Sequence, residues 1–238
     1  MKRIHFEIIE STNDTAKEYA INGESEGFVV TADLQTKGKG RLGRVWSSPK
    51  GNFFGSFIIE GINMSRNSEL PFLVGISVID ALKFFDNDIE CRCKWPNDIM
   101  LDGKKLCGIL LEVATDNKIV AGIGINLQHH PSEGEVSYPA TSVLSSRHKF
   151  ITTDEMCVAL SNALKENLNI WKNEGFYKIR RKWLECAYKI NEKIKIKQLD
   201  KTFEGIFRTI DDNGYLILEG DNNEKIKINA GDVLYGKL

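Results

Sequence analysis

Nine residues, Thr36 to Arg44 (TKGKGRLGR), hold three glycines, four cations and no acid. Glycine lets successive backbone N–H groups approach a ligand closely, and Lys37, Lys39, Arg41 and Arg44 can add charge-assisted hydrogen bonds to oxyanions. That chemistry suits a polyphosphate. Gly38, Gly40 and Gly43 match the G-x-G-x-x-G spacing, but Pro49 and Gly51 follow too closely for the helix a dinucleotide site requires. Gly38 and Gly43 also have the outer spacing of a P-loop, with Arg44-Val45 standing where Lys and Ser or Thr are needed. Taken alone, the stretch is equally a solvated surface loop whose like charges repel until an anion arrives. A second constellation, KWPND (Lys94 to Asp98), ends an alternating strand at a proline. The residue before proline is held extended, so Lys94 is expected on the polar face of a rigid strand end; the plain alternative is an exposed lysine beside a Pro-Asn turn.

These residues need a scaffold, and the chain is long enough to build one. Its 238 residues fit one main domain with a small appendage. Lys plus Arg number 32 against 33 Asp plus Glu, which argues against a global field for nucleic acid or an acidic membrane. An anion site must therefore be local. There is no apolar leader and no 18-residue apolar run, so a cytoplasmic protein is expected. Five scattered cysteines suggest reduced thiols.

Phe28 to Leu34 reads as a strand feeding the glycine loop, and residues 52–61 as the next strand. Ser68, followed by Pro71 and apolar residues at helical spacing, predicts a helix packed on a sheet. In IECRCKW, Ile89, Cys91, Cys93 and Trp95 alternate with Glu90, Arg92 and Lys94, a half-buried strand. An Asp102-Gly103 turn then leads to KLCGILLEVA and KIVAGIGIN, a central hairpin. Residues 127–142 read as a mobile polar loop. Thr152 with Glu155 forms a capping box for one helix, and a second follows Gly175. Beyond Ile190, five short strands separated by turns predict a small barrel. Cys91 and Cys93 lack a second ligand pair and are assigned to the core rather than to zinc. His129-His130 and KIRRKW are read as solvated.

Together, GKGRLGR and KWPND resemble the signatures of the biotin protein ligases. STND at residues 11–14, KKLCGIL with GIGIN, and the closing AGDVLYGKL are similar to further family elements, so the resemblance spans nearly the whole chain. It implies an α+β fold: a mixed, mainly antiparallel sheet with packed helices over residues 1–189, and an SH3-like β-barrel over 190–238. It implies an ATP-dependent ligase that converts biotin to biotinyl-5'-AMP and transfers the biotinyl group to a lysine of a carboxylase carrier domain. Mg²⁺ is expected to assist, because carboxylate and polyphosphate are both anions.

By the same resemblance, Arg41 and Arg44 hold the nucleotide phosphates, with Arg41 and Lys94 as the catalytic cations. Lys94 would stand between the biotin carboxylate and the α-phosphate. Ser11, Thr12, Asn13, Gln35, Gly38, Lys94 and Gly108 are the expected biotin site. Lys39, Arg41, Arg44, Trp46, Lys94 and Asn126 are the expected ATP or adenylate site. Alone, Ser11 with Asp14 reads as a helix capping box, Trp46 as core packing and Asn126 as a turn residue. Cys107 departs from the usual glycine or alanine, and Lys39 and Leu42 replace arginines. The chain starts at the catalytic domain, so a monofunctional enzyme without DNA binding is expected, as monomer or homodimer. A lipoate ligase of the same fold and a non-catalytic nucleotide binder are the alternatives.

Overall fold

A computed structural model of the chain describes residues 1–61, 63–198 and 201–234. Twelve strands and five α-helices are arranged in two sheets among these residues. Strands β1 (Lys2–Ile9), β2 (Phe28–Gln35), β3 (Phe53–Glu60), β4 (Cys91–Lys94), β5 (Asp98–Leu101), β6 (Lys104–Thr115) and β7 (Lys118–Ile125) form the larger sheet. Its order is β1-β2-β3-β7-β6-β5-β4, and only β1 and β2 run parallel. The sheet is thus mixed and mainly antiparallel, as the sequence predicts.

Strand periodicity gives this sheet two different faces. On β3, β6 and β7 the odd-numbered residues Phe53, Phe57, Cys107, Ile109, Ala121 and Ile123 enter the main core. Successive side chains point oppositely, so Ser56, Gly108, Gly122 and Gly124 face the other side. Helices α2 (Leu70–Phe85), α4 (Thr153–Glu174) and α5 (Phe176–Glu185) cover the core face. Helix α1 (Thr12–Ile21) covers part of the opposite face through Ala16 and Ala20, packed with Phe28, Val30, Ile58 and Val120.

Several local signals operate as read. Asp102 and Gly103 take positive φ of 51° and 73° between β5 and β6, as a tight hairpin turn demands. Thr152 and Glu155 form the complete reciprocal cap of α4. Two helix starts carry more detail than the sequence shows. Ser68 lies inside a 3-10 turn, residues 64–69, that runs directly into α2, with Asn63 capping its start. Ser11 does cap α1, accepting from the Asp14 N–H at 3.4 Å, but the Asp14 carboxylate turns to the Lys39 ammonium at 2.6 Å and leaves the box half made.

After α5, strands β8 (Lys193–Gln198), β9 (Lys201–Ile210), β10 (Leu216–Glu219), β11 (Lys225–Ile228) and β12 (Asp232–Val233) form the second sheet, in the order β11-β10-β9-β8-β12. Its edge strands β11 and β12 are not paired with each other among the described residues, so the expected barrel is an open five-stranded sheet here. The last residues of the AGDVLYGKL motif, 235–238, lie outside the described residues. Phe207, Ile210, Leu216 and Leu218 join the same core as Phe72 and Trp183, and the Trp95 indole donates to Gly214 O at 3.1 Å. The small sheet is thereby seated against the strand end that carries KWPND.

Candidate functional site

On the α1 side of the large sheet lies a cavity of about 350 Å³, within the size range of small-molecule sites. Its floor is the cross-strand pair Gly108–Gly124, with Gly122 beside it. A side chain at any of these positions would collide. A Cβ on Gly108 would fall 2.8 Å from Trp46 Cζ3; one on Gly124 would enter the same indole, and one on Gly122 the Asn13 amide. The glycines of GIGIN therefore lower the sheet surface to admit Trp46, Asn13 and a ligand.

One wall is polar and buried. Thr12 donates from its backbone N–H and hydroxyl to Gln35 Oε1 at 2.9 and 3.0 Å, and Gln35 Nε2 donates to Ser48 Oγ at 3.0 Å. Ser56 Oγ lies 2.8 Å from Thr12 Oγ1 and 2.6 Å from Asn13 Oδ1, while Asn13 Nδ2 donates to Glu112 at 2.8 Å. Ser11, Asn13 and Gln35 reach the cavity surface; Thr12 stands behind and fixes Gln35. Such a network presents amide and hydroxyl groups in set orientations, as recognition of a small polar ring requires.

The glycine loop forms the opposite wall and is already shaped. Lys39 bridges Val45, Trp46 N–H donates to Gly38 O at 2.9 Å, and Gly40 N–H to Arg44 O at 2.7 Å. A single 3-10 turn, Arg41–Gly43, closes the tip, with Leu42 and Gly43 at positive φ of 55° and 73°. Gly38 does not line the cavity. It is needed because its Cβ would strike Ser48 Oγ and the Trp46 carbonyl.

The four loop cations do not face one another unscreened. Lys37 pairs with Glu10 at 2.7 Å, Lys39 with Asp14 at 2.6 Å, and Arg41 and Arg44 both reach Asp232 of β12. Arg41 Nη1 also donates to Asn97 Oδ1 at 3.0 Å. The acid-free stretch thus takes its counterions from three other segments. Asp232 holds the two guanidiniums at the cavity, where an incoming phosphate would compete with it.

Besides Lys39, the lysine lining the cavity is Lys105, the first residue of the motif stretch KLCGIL. Its ammonium lies 2.7 Å from Asp98 Oδ1 and sits 5.3 and 4.9 Å from the ring centres of Trp46 and Tyr138. Lys94 is not among the cavity-lining residues. Its Nζ is 4.0 Å from the other Asp98 oxygen, and the residue is only 4% exposed rather than on an open polar face. Burial lowers the Lys94 pKa to about 8, against the opposing pull of the Asp98 and Asp232 carboxylates. Asp98 therefore joins two lysines, with Lys105 in front and Lys94 behind.

The loop after β7 closes the far side. Lys105 N–H donates to Pro139 O at 2.8 Å and Thr141 N–H to Lys105 O at 3.0 Å, which brings Glu135, Val136, Ser137 and Tyr138 to the rim. Asn126 does not touch the cavity; its Nδ2 donates to Thr141 O at 3.0 Å and anchors this loop. Cys107 points into the core, so its departure from the usual small residue leaves the cavity shape alone. Trp46 lies across the floor, and its buried Nε1 has no hydrogen-bond partner among the described residues.

Comparison with known proteins places this architecture. A sequence model of the biotin/lipoate A/B protein ligase family matches residues 5–129, and one of the biotin protein ligase C terminal domain matches residues 189–236. The chain belongs to this ligase family. It is 31% identical over 241 residues to the bifunctional ligase/repressor BirA of Bacillus subtilis, covering 98% of this chain and 74% of that protein. The biotin--[acetyl-CoA-carboxylase] ligase of Paracoccus denitrificans is 33% identical, with 95% of this chain and 98% of that one covered. Among solved structures, the Aquifex aeolicus biotin protein ligase in complex with biotin and ATP superposes with a TM-score of 0.87 at 28% identity, covering 98% and 97% of the two chains.

Of the ligase residues expected from sequence, Ser11, Asn13, Gln35, Lys39, Arg41, Arg44, Trp46 and Gly108 line the cavity. Thr12, Gly38, Lys94 and Asn126 stand behind it in supporting positions. Asn97, Asp98, Lys105, Gly122, Gly124 and Asp232, which lie in the quoted motifs, and Tyr138 also line the cavity, although the sequence assigns them no individual role. A signal existed for two of them: Gly122 and Gly124 alternate with isoleucines on a strand, a spacing that marks close approach to one sheet face.

Proposed function

We propose that this chain is a biotin protein ligase that activates biotin with ATP to biotinyl-5'-AMP and passes the biotinyl group to a carrier-domain lysine. One observation carries the reading. Four cations, Lys39, Arg41, Arg44 and Lys105, line a cavity whose other wall is the buried amide and hydroxyl network of Asn13, Thr12 and Gln35. That is a site for a neutral polar ring at one end and for anionic groups at the other.

The first step brings two anions together. A biotin carboxylate oxygen attacks the α-phosphorus of ATP, and pyrophosphate leaves with the bonding pair. Repulsion between the reactants is offset by fixed positive charge in a site shielded from water. Arg41 and Arg44, released from Asp232, bind phosphate oxygens in a bidentate manner. Lys105 has the reach to stabilise charge on the transferring group, and Lys94 reinforces it through Asp98. Among the described residues no three-ligand metal cluster is present. Mg²⁺ fits this reading as an ion carried on the ATP phosphates, since it needs at most one or two protein carboxylates.

In the second step the acceptor lysine attacks the acyl carbon and AMP leaves. A biotin carboxyl carrier domain is the proposed acceptor, supported by the names of the relatives. No helix among the described residues is long and apolar enough to cross a membrane, and a cytoplasmic location is part of the proposal. So is the division of the chain near residue 190, into a catalytic part and a smaller C-terminal part.

Intact-mass measurement of a carrier domain incubated with the protein, biotin and MgATP tests the reading. One added biotinyl group per carrier is expected. Pyrophosphate exchange supported by lipoate and not by biotin would favour the lipoate ligase. ATP binding with no acyl-adenylate formed would reduce the chain to a nucleotide binder.

A further inference from the structure

Outside this cavity, two thiols face each other across a seam between secondary-structure elements. Cys186, in the turn after α5, has its Sγ 3.7 Å from Sγ of Cys93 on β4. The backbones are already locked at sheet spacing: Cys93 N–H donates to Cys186 O and Tyr188 N–H to Cys93 O, both at 2.8 Å. Residues 93 and 187 form a parallel bridge, which holds neighbouring chains ~5 Å apart and within the span a disulfide needs. Bond formation requires only that the sulfurs close from contact distance.

The two thiols differ in the way a reactive and a resolving cysteine differ. Cys93 is 1% exposed and inside the core, where burial pushes its pKa up. Cys186 is half-buried at the edge of an open polar groove of about 600 Å³, lined also by Lys83, Arg92 and Lys182. Its hydrogen-bond contact with Cys93 is the first cause that lowers its pKa, with Lys83 and Arg92 adding to it. Cys91 opens onto the same groove but is pushed up to about 12 by burial and remains an inert thiol. A thiolate in a cationic, accessible setting backed by a second thiol is the arrangement that peroxides oxidise selectively.

We propose that Cys186 and Cys93 form a reversible, peroxide-driven disulfide that ties β4 to the segment entering the C-terminal sheet. The Cys186 thiolate attacks one oxygen of hydrogen peroxide, breaking the O–O bond and giving a sulfenic acid and hydroxide, which takes up a proton as water. The Cys93 thiol, losing its proton, then attacks the Cys186 sulfur and expels the second oxygen as water. Two thiols are oxidised by two electrons and one peroxide is reduced to two waters. A dithiol reductant reverses the change. The crosslink would sit one residue from Lys94 and two from Trp95, yet it uses nothing of the ligase reading and stands or falls independently of it.

The test is intact-mass and peptide mapping of the folded wild-type protein after brief hydrogen peroxide treatment. The expected product has lost two hydrogens, carries a Cys93–Cys186 linked peptide and returns to its starting mass with dithiothreitol. Cys91→Ser should still form it. Cys186→Ser should not, and in Cys93→Ser a sulfenic acid on Cys186 should be trapped by dimedone. Oxidation of Cys186 in the wild type to a sulfinic acid without a crosslink would overturn the proposal. So would reaction at Cys107 or Cys157 ahead of Cys186.

Discussion

Asp232 on β12 pairs with Arg44 across the cavity mouth and also lies 3.6 Å from Arg41 Nη1, so one carboxylate of the small sheet holds both guanidiniums of the glycine loop. It occupies the electrostatic position of a phosphate. Nucleotide binding must therefore replace one anion by another, and the small sheet takes part in shaping a site built mainly on the large one. Asp232→Asn should remove the competitor. Partly exposed pairs are worth about 0.2–1 kcal/mol, so the KM for ATP in pyrophosphate exchange should fall by up to about fivefold. A rise in KM would show that Asp232 acts mainly by positioning the two arginines.

Lys105 and Lys94 share the Asp98 carboxylate but not the cavity, and their substitutions should separate accordingly. Lys105→Met removes an ammonium that lines the cavity and should reduce biotin-dependent pyrophosphate exchange by about 10²–10³, the loss typical of one preorganised charge donor. Lys94→Met should cost at least tenfold less, because Asp98 would still hold Lys105. Equal losses would place both amines on the reacting groups.

Much of this site can be read in the sequence, and the unread part has a common cause. Gly38, Arg41 and Arg44 lie in one short run whose composition is its own signal. Lys105 and Asp232 fall inside stretches that resemble family elements, yet nothing local gives either a role: a lysine after a hairpin turn and an acid on a two-residue strand are ordinary until the chain is folded. Lys105 becomes a site residue because Asp98, Trp46 and Tyr138 come from three other segments to surround it. The fold shows the same division. Hairpins and capped helices carry their instructions locally, whereas β1 was not apparent, since an edge strand reading KRIHFEII is polar on much of its surface and pairs with β2 over a long separation. Lys94 illustrates the reverse error. Alternation puts it opposite Cys93, but the residue is only 4% exposed and its ammonium lies 4.0 Å from the Asp98 carboxylate rather than in open water.

The glycine floor makes a size test possible. Gly124→Ala would push a methyl group into the Trp46 indole, and the floor can yield only if Trp46 moves into the space a ligand would use. Biotin affinity by calorimetry should fall at least tenfold, with thermal stability lowered by no more than a few degrees. Gly134→Ala is the control. It has positive φ of 96° but nothing within 4 Å of its Cβ, so it should strain the backbone without narrowing the floor. Similar biotin affinity for the two variants would remove the floor from the binding argument.

Trp46 gives a prediction of opposite sign for stability and binding. Its Nε1 is buried without a partner, and such a group costs about 1–3 kcal/mol. Trp46→Phe keeps an aromatic over Gly108 and Gly124 while deleting the N–H. The ligand-free protein should be stabilised, by ~1 kcal/mol after the smaller ring's lost contacts are counted. Ligand-induced stabilisation by biotin with ATP should shrink. A variant less stable than wild type without ligand would mean that ring packing outweighs the unpaired N–H.

The Lys94 pKa links the same region to pH. Its folded value of about 8 lies below the ordinary 10.5, so between these the unfolded chain binds the proton and the folded chain does not. Stability contributed by this residue therefore increases as pH rises from about 8 to 10.5, and below about 8 the full cost of holding a buried ammonium is present. Lys94→Met deletes that cost along with the Asp98 partner. Urea unfolding of the two proteins should show the wild type gaining on the variant as pH rises from 7 to 10. The gain should be at most about 3 kcal/mol, the free-energy equivalent of the shift. A constant difference across that range would mean that Lys94 titrates as an ordinary lysine, and that Asp98 and Asp232 compensate its burial completely.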